Sequence, residues 1–360
     1  MVYADYAATY PYIKYSSSAY GPFLNPNANY AYKEKRLLAE AENRVKKAIG
    51  AKSGKVVFGG TSSQLIENLM TVVWDIFMQK NILYATIGSC VEHDSFNRYV
   101  GYKCKNLENL DERLFYYNDI QTFVLWQAVQ NITGEIFPTK QIGELTHKYN
   151  GFYICDGTAQ IGHTPMEPNI DDWCDFWCCS GHKLGTELGI GCCWVSDRLD
   201  KWLNGFKLHG TPNLAGALAM AEAIEDACDK DNLGKSITHF DKMQDCLINC
   251  LVKNRIDFRL VPDDNTCPFG HKFTYAINAI RLPGFNARAL QSYLANKKIF
   301  IGLGQSSCAD ETDRRILCQG YGLSEQEADE VIRISFGEDN SVEDVEALID
   351  GIVAFRKEYL

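Results

Sequence analysis

The spacing of apolar positions changes along this chain, and each change predicts an element. Over residues 33–49 apolar side chains recur at helical spacing, at Leu37, Leu38, Ala41, Val45 and Ile49, and the run stops at Gly50, the residue type that best tolerates the left-handed end of a helix. Short unbroken apolar runs at 56–58, 82–85, 123–126, 152–155, 176–179 and 190–195 read as strands buried on both faces. Helical patterns at 63–79 and 139–149 lie between them. Strands alternating with helices predict a mostly parallel sheet covered by helices, an α/β domain.

After Asn213 the texture changes. Two long helical patterns, 214–228 and 235–254, precede shorter mixed segments: strands at 258–261, 273–281, 299–303 and 332–336, and helices at 287–296 and 342–355. No repeat of 20–50 residues and no Pro/Ser-rich linker interrupts the chain. The expected division is a large domain over 12–255 and a smaller α+β domain made of 1–11 and 256–360.

Composition narrows the choice of function. The 360 residues are 46% hydrophobic and 23% charged, enough for one large or two medium cores and unlike a disordered or fibrous chain. The net charge is -10 and no Lys/Arg stripe dominates any segment, so nucleic acid is not an expected partner. No apolar run approaches the roughly 20 residues needed to cross a bilayer, and residues 1–14 lack a basic stretch followed by an apolar one. No membrane partner is expected, and the expected location is the cytoplasm, where the 14 cysteines would be free thiols. Cys174, Cys178, Cys179, Cys192 and Cys193 crowd two strands without paired CxxC spacing, so no metal site is expected. Asn131-Ile132-Thr133 matches a glycosylation sequon by chance in a cytoplasmic chain.

Chemistry concentrates after the strands, where α/β proteins place their sites. Ser180-Gly181-His182-Lys183 follows the apolar run 176–179 and precedes a glycine-rich segment. A lysine there is either a surface residue in a turn or a Schiff-base nucleophile. Asp156 ends the run 152–155, and an acid at that place suits the ring nitrogen of pyridoxal phosphate, which must stay protonated if the ring is to draw electrons. Phe58-Gly59-Gly60-Thr61-Ser62-Ser63 joins a strand to a helix, where free N–H groups and hydroxyls can cradle a phosphate. It is not GxGxxG, which argues against a nicotinamide dehydrogenase.

The order of these motifs resembles the class V aminotransferase family and, within it, the cysteine desulfurases of the NifS/IscS type. Residues 3–11 (YADYAATYP) resemble the family's N-terminal segment, 58–63 its phosphate turn, Glu92-His93 its E-H pair, and 130–138 its N-N-E-x-G-x-x-x-P stretch. Gly210-Thr211-Pro212-Asn213, Ser306-Ser307-Cys308 and Arg333-Ile334-Ser335-Phe336-Gly337 follow in family order. The resemblance implies the fold of a PLP-dependent transferase of fold type I, aminotransferase-like, with a mostly parallel large-domain sheet and a smaller α+β C-terminal domain. It makes Lys183 the Schiff-base lysine that also moves the Cα proton, and it places His93 against the pyridine ring. Asn131 would contact cofactor or substrate, and Asp156 the ring nitrogen. Ser62, Ser63, Ser180 and His182 would bind the phosphate, while Thr211 would reach the site of a second subunit in a homodimer. Arg333 would clamp the substrate carboxylate. Cys308 would attack the sulfur of L-cysteine, forming a persulfide and leaving L-alanine.

Three departures mark a divergent member. The family's glutamine three residues after the aspartate is replaced by Ala159, with Gln160 next to it; on a strand-like segment that slip turns the side chain to the other face unless a bulge corrects it. Ile132 stands where the N-N-E motif has its acid, and the glycine-rich segment before Thr211 is shortened to 202–209. Two alternatives therefore stay open: another class V reaction, such as a selenocysteine lyase or an aminotransferase, and a catalytically reduced scaffold in a sulfur-transfer complex. The resemblance also implies a protein sulfur acceptor or an assembly scaffold as partner, as in iron–sulfur cluster assembly.

Overall fold

A computed structural model describes residues 1–262, 272–305 and 314–359. In chain order the elements are β1 (Val2–Ala4), α1 (Tyr32–Ala48), β2 (Lys55–Gly59), α2 (Ser62–Lys80), β3 (Tyr84–Ser89), α3 (Asp94–Asn97), β4 (Tyr102–Cys104), α4 (Leu107–Tyr116), β5 (Gln121–Gln127), α5 (Thr139–Lys148), β6 (Phe152–Asp156), β7 (Phe176–Ser180) and β8 (Gly191–Val195). There follow α6 (Asp197–Trp202), α7 (Leu214–Cys228), α8 (Lys230–Lys253), β9 (Arg259–Val261), β10 (Ile277–Arg281), α9 (Ala287–Asn296), β11 (Ile299–Leu303), α10 (Glu325–Ala328), β12 (Val331–Ser335) and α11 (Val342–Tyr359).

The chain divides into two units. The larger holds Tyr12–Ala128 and Phe137–Leu233; the smaller holds Met1–Pro11, Val129–Ile136 and Gly234–Leu360. The boundary therefore lies at Gly234, within α8, where the sequence suggested residue 256, and Val129–Ile136 falls with the smaller unit. Apolar periodicity marks where a helix lies but not which core its two ends join, so this boundary has no signature in the pattern.

The larger unit is built on a seven-stranded sheet ordered β2-β8-β7-β6-β5-β3-β4. Strands β3 to β7 run parallel, and β8 is antiparallel to both its neighbours. Helix α2 shows why these residues fold so. Thr61 caps it by accepting the Gln64 N–H, Asn81 ends it in the left-handed conformation, and Leu65, Ile66, Leu69, Met70, Val73 and Phe77 form one fully apolar face. That face meets Phe123, Leu125, Phe152, Ile154, Phe176 and Cys178 on β5, β6 and β7 in one core. Because the strands are parallel, the segments after β3, β6 and β7 leave along one edge of the sheet.

The opposite edge is held by a buried carboxylate. Asp175, just before β7, accepts hydrogen bonds from His147 Nε2 (2.8 Å), Tyr153 N (2.9 Å), Ser196 Oγ (3.1 Å) and Arg198 Nε (3.0 Å). Burial alone would raise its pKa; the His147 bond and the Arg198 charge outweigh burial and hold it below the ordinary carboxylate value. The smaller unit has a five-stranded sheet ordered β1-β11-β12-β10-β9, in which only β1 pairs in parallel, with β11. The first residues of the chain thus join the sheet formed by its last third. A Cβ on Gly351 of α11 would come within 2.5 Å of Leu294, so glycine lets α11 lie close to α9.

Two expected strands are displaced. Only 277–281 of the run 273–281 is regular strand, and β3 starts at Tyr84, two residues after the expected position. Strands β1 and β4, three residues each, are too short for a periodic signal, whereas α4 carries Leu107, Leu110 and Leu114 at helical spacing and is readable from the sequence.

Asp175→Ala is expected to destabilise the protein by about 3 kcal/mol, because it leaves Arg198 and buried donors without their acceptor. The contribution of a carboxylate with a depressed folded pKa is present above its unfolded value near about 4 and is lost as pH falls through the folded value. Urea unfolding of wild type and Asp175→Asn should show a gap at neutral pH that closes in acid; a pH-independent gap would contradict the assignment.

Candidate functional site

In the larger unit His93 follows the end of β3, Asp156 ends β6, and Ser180 ends β7 before His182 and Lys183. Strand β7 runs directly into a 3-10 turn, Gly181–Lys183, that carries His182 and Lys183. The turn is closed by Thr186 N–H donating to Gly181 O and by Gly181 N–H donating to Ile190 O. A Cβ on Gly181 would sit 2.2 Å from Thr186 Oγ1, so only glycine fits there. Lys183 is half-buried. Burial and, after it, the Lys183 charge push His182 down to about 4, and the same two causes lower His163. Neutral imidazoles therefore neighbour the lysine at physiological pH. His163 Nδ1 donates to Ala159 O at 3.1 Å. The sequence reading did not single His163 out, although it lies in the turn that follows Asp156.

The phosphate-turn residues converge. Ser62 N–H, in the first turn of α2, donates to Ser180 Oγ at 2.9 Å, and the two hydroxyls lie 2.8 Å apart. The end of β7 is thereby fixed to the positive end of a 19-residue helix, an anion-binding arrangement. An added Cβ at Gly191 of β8 would fall 2.9 Å from Cys179 O and 3.1 Å from the Thr61 backbone, so glycine there lets the strand pass close to the start of α2. Ser63 is exposed on the same turn. Thr211 Oγ1 accepts from Asn25 Nδ2 at 3.4 Å and, with Gly59, Gly60, His209 and Asn213, lines a cavity of about 530 Å³.

Asp156 closes β6, in register with Gln127 on one side and Cys178 on the other, and its Oδ1 accepts Thr158 N–H at 2.9 Å. His93 caps α3 by accepting Ser95 N–H on Nδ1 at 3.2 Å, which leaves the proton of the neutral ring on Nε2. Its neighbour Glu92 is fully buried.

The segment after Asp156 is a series of turns, not the strand-like stretch the sequence suggested. Gln160 and Ile161 donate to Gly157 O, and His163 and Thr164 donate to Gln160 O. The face-reversal argument for Ala159 and Gln160 therefore does not apply. Both are buried, and Gln160 Oε1 has no partner among the described residues.

The smaller unit holds Arg333 and Asn131. Arg333, on β12, is fully buried, donating from Nη2 to Asp5 Oδ1 at 2.7 Å and from Nη1 to Asn131 O at 3.1 Å. Its partner in the β11 register is Gly302, where a Cβ would come 2.8 Å from Arg333 Nε. Nε has no partner among the described residues. Cys308 lies outside the described residues. The residues on either side of its segment, Gln305 and Arg314, both bind Asp329: Gln305 Nε2 at 2.5 Å, Arg314 Nε at 2.6 Å and Nη2 at 2.8 Å. A π-helix, Ile316–Gly320, follows.

Among the described residues no group of three or more His, Cys, Asp or Glu side chains could hold a metal ion. Cys179 and Cys192 touch across β7 and β8 (3.8 Å), and burial pushes the Cys179 thiol up, which suits packing better than reactivity.

The family model for aminotransferase class V matches residues 3–348. The chain belongs to the class V aminotransferase family. It is similar to the cysteine desulfurase IscS of Dictyoglomus turgidum, 29% identical over 310 residues that cover 76% of each chain. It is also similar to the IscS of Clostridium botulinum, 23% identical over 384 residues covering 97% of this chain and 92% of that one. Among solved structures, a NifS-like protein from Rickettsia africae superimposes with a TM-score of 0.82 at 21% identity over 99% of both chains. A second NifS-like protein gives 0.82 at 19% identity, again over 99% of both. The fold is that of the PLP-dependent transferases of fold type I. No helix among the described residues is long and apolar enough to cross a membrane.

Ser180→Ala removes the acceptor of a buried N–H at the start of α2. It should cost about 1–3 kcal/mol in urea unfolding, whereas Ser180→Thr, which keeps the hydroxyl, should recover most of that loss.

Proposed function

We propose that this protein is a pyridoxal-phosphate-dependent cysteine desulfurase that converts L-cysteine to L-alanine and leaves the sulfur as a persulfide on Cys308. One observation carries the reading: the Lys183 turn leaves β7 beside Asp156 on β6, with the end of β7 fixed by Ser180 to the first turn of α2. A nucleophilic amine, an acid for a pyridinium and a donor-rich helix end together suit pyridoxal phosphate, and Gly191, which lets β8 pass close to the start of α2, suits its phosphate. The names of the relatives support sulfur chemistry over transamination.

In this assignment Ser62, Ser63, Ser180 and His182 hold the phosphate, His182 as a neutral donor, and Asp156 meets the ring nitrogen. Thr211 would serve the site of a second copy in a homodimer. When bound, the cofactor supplies an electron sink for charge developing at the substrate Cα. Lys183 takes the proton from Cα, aided by the neutral imidazoles beside it, which add no competing positive charge. His93 presents Nε2–H for the ring face and for proton transfer, Arg333 takes the substrate carboxylate, and Asn131 orients the cofactor or substrate. The Cys308 thiolate then forms an S–S bond as the substrate Cβ–S bond breaks. Cysteine plus enzyme thiol becomes alanine plus enzyme persulfide, a balanced exchange that needs no outside oxidant. A protein acceptor in the cytoplasm, such as an iron–sulfur assembly scaffold, would take the sulfur.

Ala159, in place of the family glutamine, is the observation that favours the rival reading of a catalytically reduced scaffold. The purified protein should be yellow, and its visible absorbance should be lost in Lys183→Ala. With cysteine and a reductant it should give alanine and sulfide in equal amounts. Cys308→Ala should abolish sulfide release while leaving the absorbance change on adding cysteine; undiminished sulfide would remove Cys308 from the mechanism, and keto-acid product would favour an aminotransferase. Selenide release from selenocysteine at a far higher kcat/KM than sulfide from cysteine would point to a selenocysteine lyase. Arg333→Lys keeps the charge but loses the planar fork, and should raise KM for cysteine roughly tenfold, about 1.4 kcal/mol.

A further inference from the structure

The loop between β3 and α3 sends a carboxyl group into the interior of the larger unit. Glu92 is fully buried; Ser89 Oγ donates to its Oε1, and Gln127 N–H donates to its Oε2 at 3.0 Å. Gln127 grips the same loop a second time, its Nε2 donating to Val91 O at 2.7 Å. Gln127 is also the residue of β5 that pairs in register with Asp156 of β6, and the next residue, Ala128, donates its N–H to Asp156 O at 2.9 Å. Glu92 and Asp156 are thus two acids held through one strand end.

Two buried carboxylates so placed resist joint ionisation, and the one with less access to water keeps the proton. Asp156 lies at the open end of its strand, while Glu92 lies deeper. Burial is the largest influence on Glu92 and the Asp156 charge adds to it, against its hydrogen bonds, so that its carboxyl is pushed up to about 8. Tyr153 of β6, whose ionisation Glu92 disfavours, is itself raised well above its ordinary value, chiefly by burial, and is neutral at working pH. A neutral Glu92 loses neither bond: Oε2 still accepts Gln127 N–H, and a protonated Oε1 donates to Ser89 Oγ in place of accepting from it.

We infer that Glu92 is a positioning residue for the cofactor site: it is the proton-carrying acid behind Asp156, so that Asp156 alone presents the negative charge to a cationic ring. The inference rests on the proposed pyridoxal phosphate but not on the fate of sulfur, and it holds equally for an aminotransferase. It gives the first residue of the E-H pair a task of its own, to fix the end of β5 without adding a second charge. An ionised Glu92 would set a second negative charge behind Asp156.

The test is infrared difference spectroscopy of the full-length protein, wild type minus Glu92→Gln, first without cofactor. A protonated-carboxyl stretch should be present at pH 6.5 and fade with a midpoint near pH 8. In Asp156→Asn the midpoint should move to lower pH, because the neighbouring charge that raised it is gone; adding pyridoxal phosphate to wild type should move it the same way. Thermal unfolding gives a second readout. A carboxyl with a raised folded pKa costs stability as pH climbs from its unfolded value to its folded one, so Glu92→Gln should gain on wild type over that interval and hold a constant lead above it. Absence of the protonated stretch at pH 6.5, or a midpoint that ignores Asp156→Asn, overturns the inference. Failure to bind pyridoxal phosphate while both signatures appear would instead overturn the proposed function and leave the coupled acid pair standing.

Discussion

The unpaired N–H groups at the start of α2 must be satisfied, and the chain satisfies one of them with the last side chain of β7. Ser62 N–H to Ser180 Oγ is a single hydrogen bond, yet it joins the apolar helix that covers the sheet to the strand that delivers Lys183. The helix cannot shift along the sheet without breaking it, because its buried face is already interlocked with β5, β6 and β7. The positive end of α2 and the lysine turn are therefore placed by the same packing that folds the unit. Chemistry at this edge costs little extra stability, since the groups that would bind an anion are held by the core and by one another.

Three of the acids buried in the larger unit are treated differently. Asp175 is surrounded by donors and a guanidinium, and its charge is favoured despite burial. Glu92 has two donors and a neighbouring acid, and its charge is disfavoured. Asp156 sits at the mouth of the sheet with one backbone donor recorded on its carboxylate. Between Asp175 and Glu92, both fully buried, the difference is one of partners and not of depth. Asp175 is a joint that ties α5, β6 and α6 together; Asp156 keeps its carboxylate toward the edge where β6 ends. The division follows from the parallel strands, whose amino ends are closed by structure and whose carboxyl ends are left for function.

Much of this could be read from the chain. Lys183, Asp156, Ser62 and Ser180 stand out as candidates in the sequence because each follows or precedes an unbroken apolar run, and strand ends are where parallel sheets put their chemistry. Glu92 was visible only as half of a motif, since nothing in a sequence says that a glutamate is buried with its proton. His163 was missed for a similar reason: a histidine seven residues beyond an aspartate gains meaning only when turns fold it back. Those turns also take the place of a strand-like continuation past Asp156, with Gly157 and Gly162 breaking the extended pattern of 152–155. The placement of 1–11 with the last third of the chain has no local signature, since the pairing of β1 with β11 is a contact across nearly three hundred residues.

Arg333 shows how one residue can be structural and still suit a reaction. Its guanidinium has five N–H donors in a plane, and the smaller unit uses two of its nitrogens, one on Asp5 from the first strand's end and one on the Asn131 carbonyl. Asp5 neutralises a charge that would be costly to bury alone, and Gly302 leaves the space for it. The same contacts fix the fork in one plane before any substrate arrives, which reduces the ordering cost of binding a carboxylate. They also reduce the net attraction, because an incoming anion meets a cation already paired. For an amino-acid substrate of the proposed kind, this combination favours geometric selection of the carboxylate over tight binding, and a substrate held in the right orientation but not too firmly leaves more of its binding energy for the transition state.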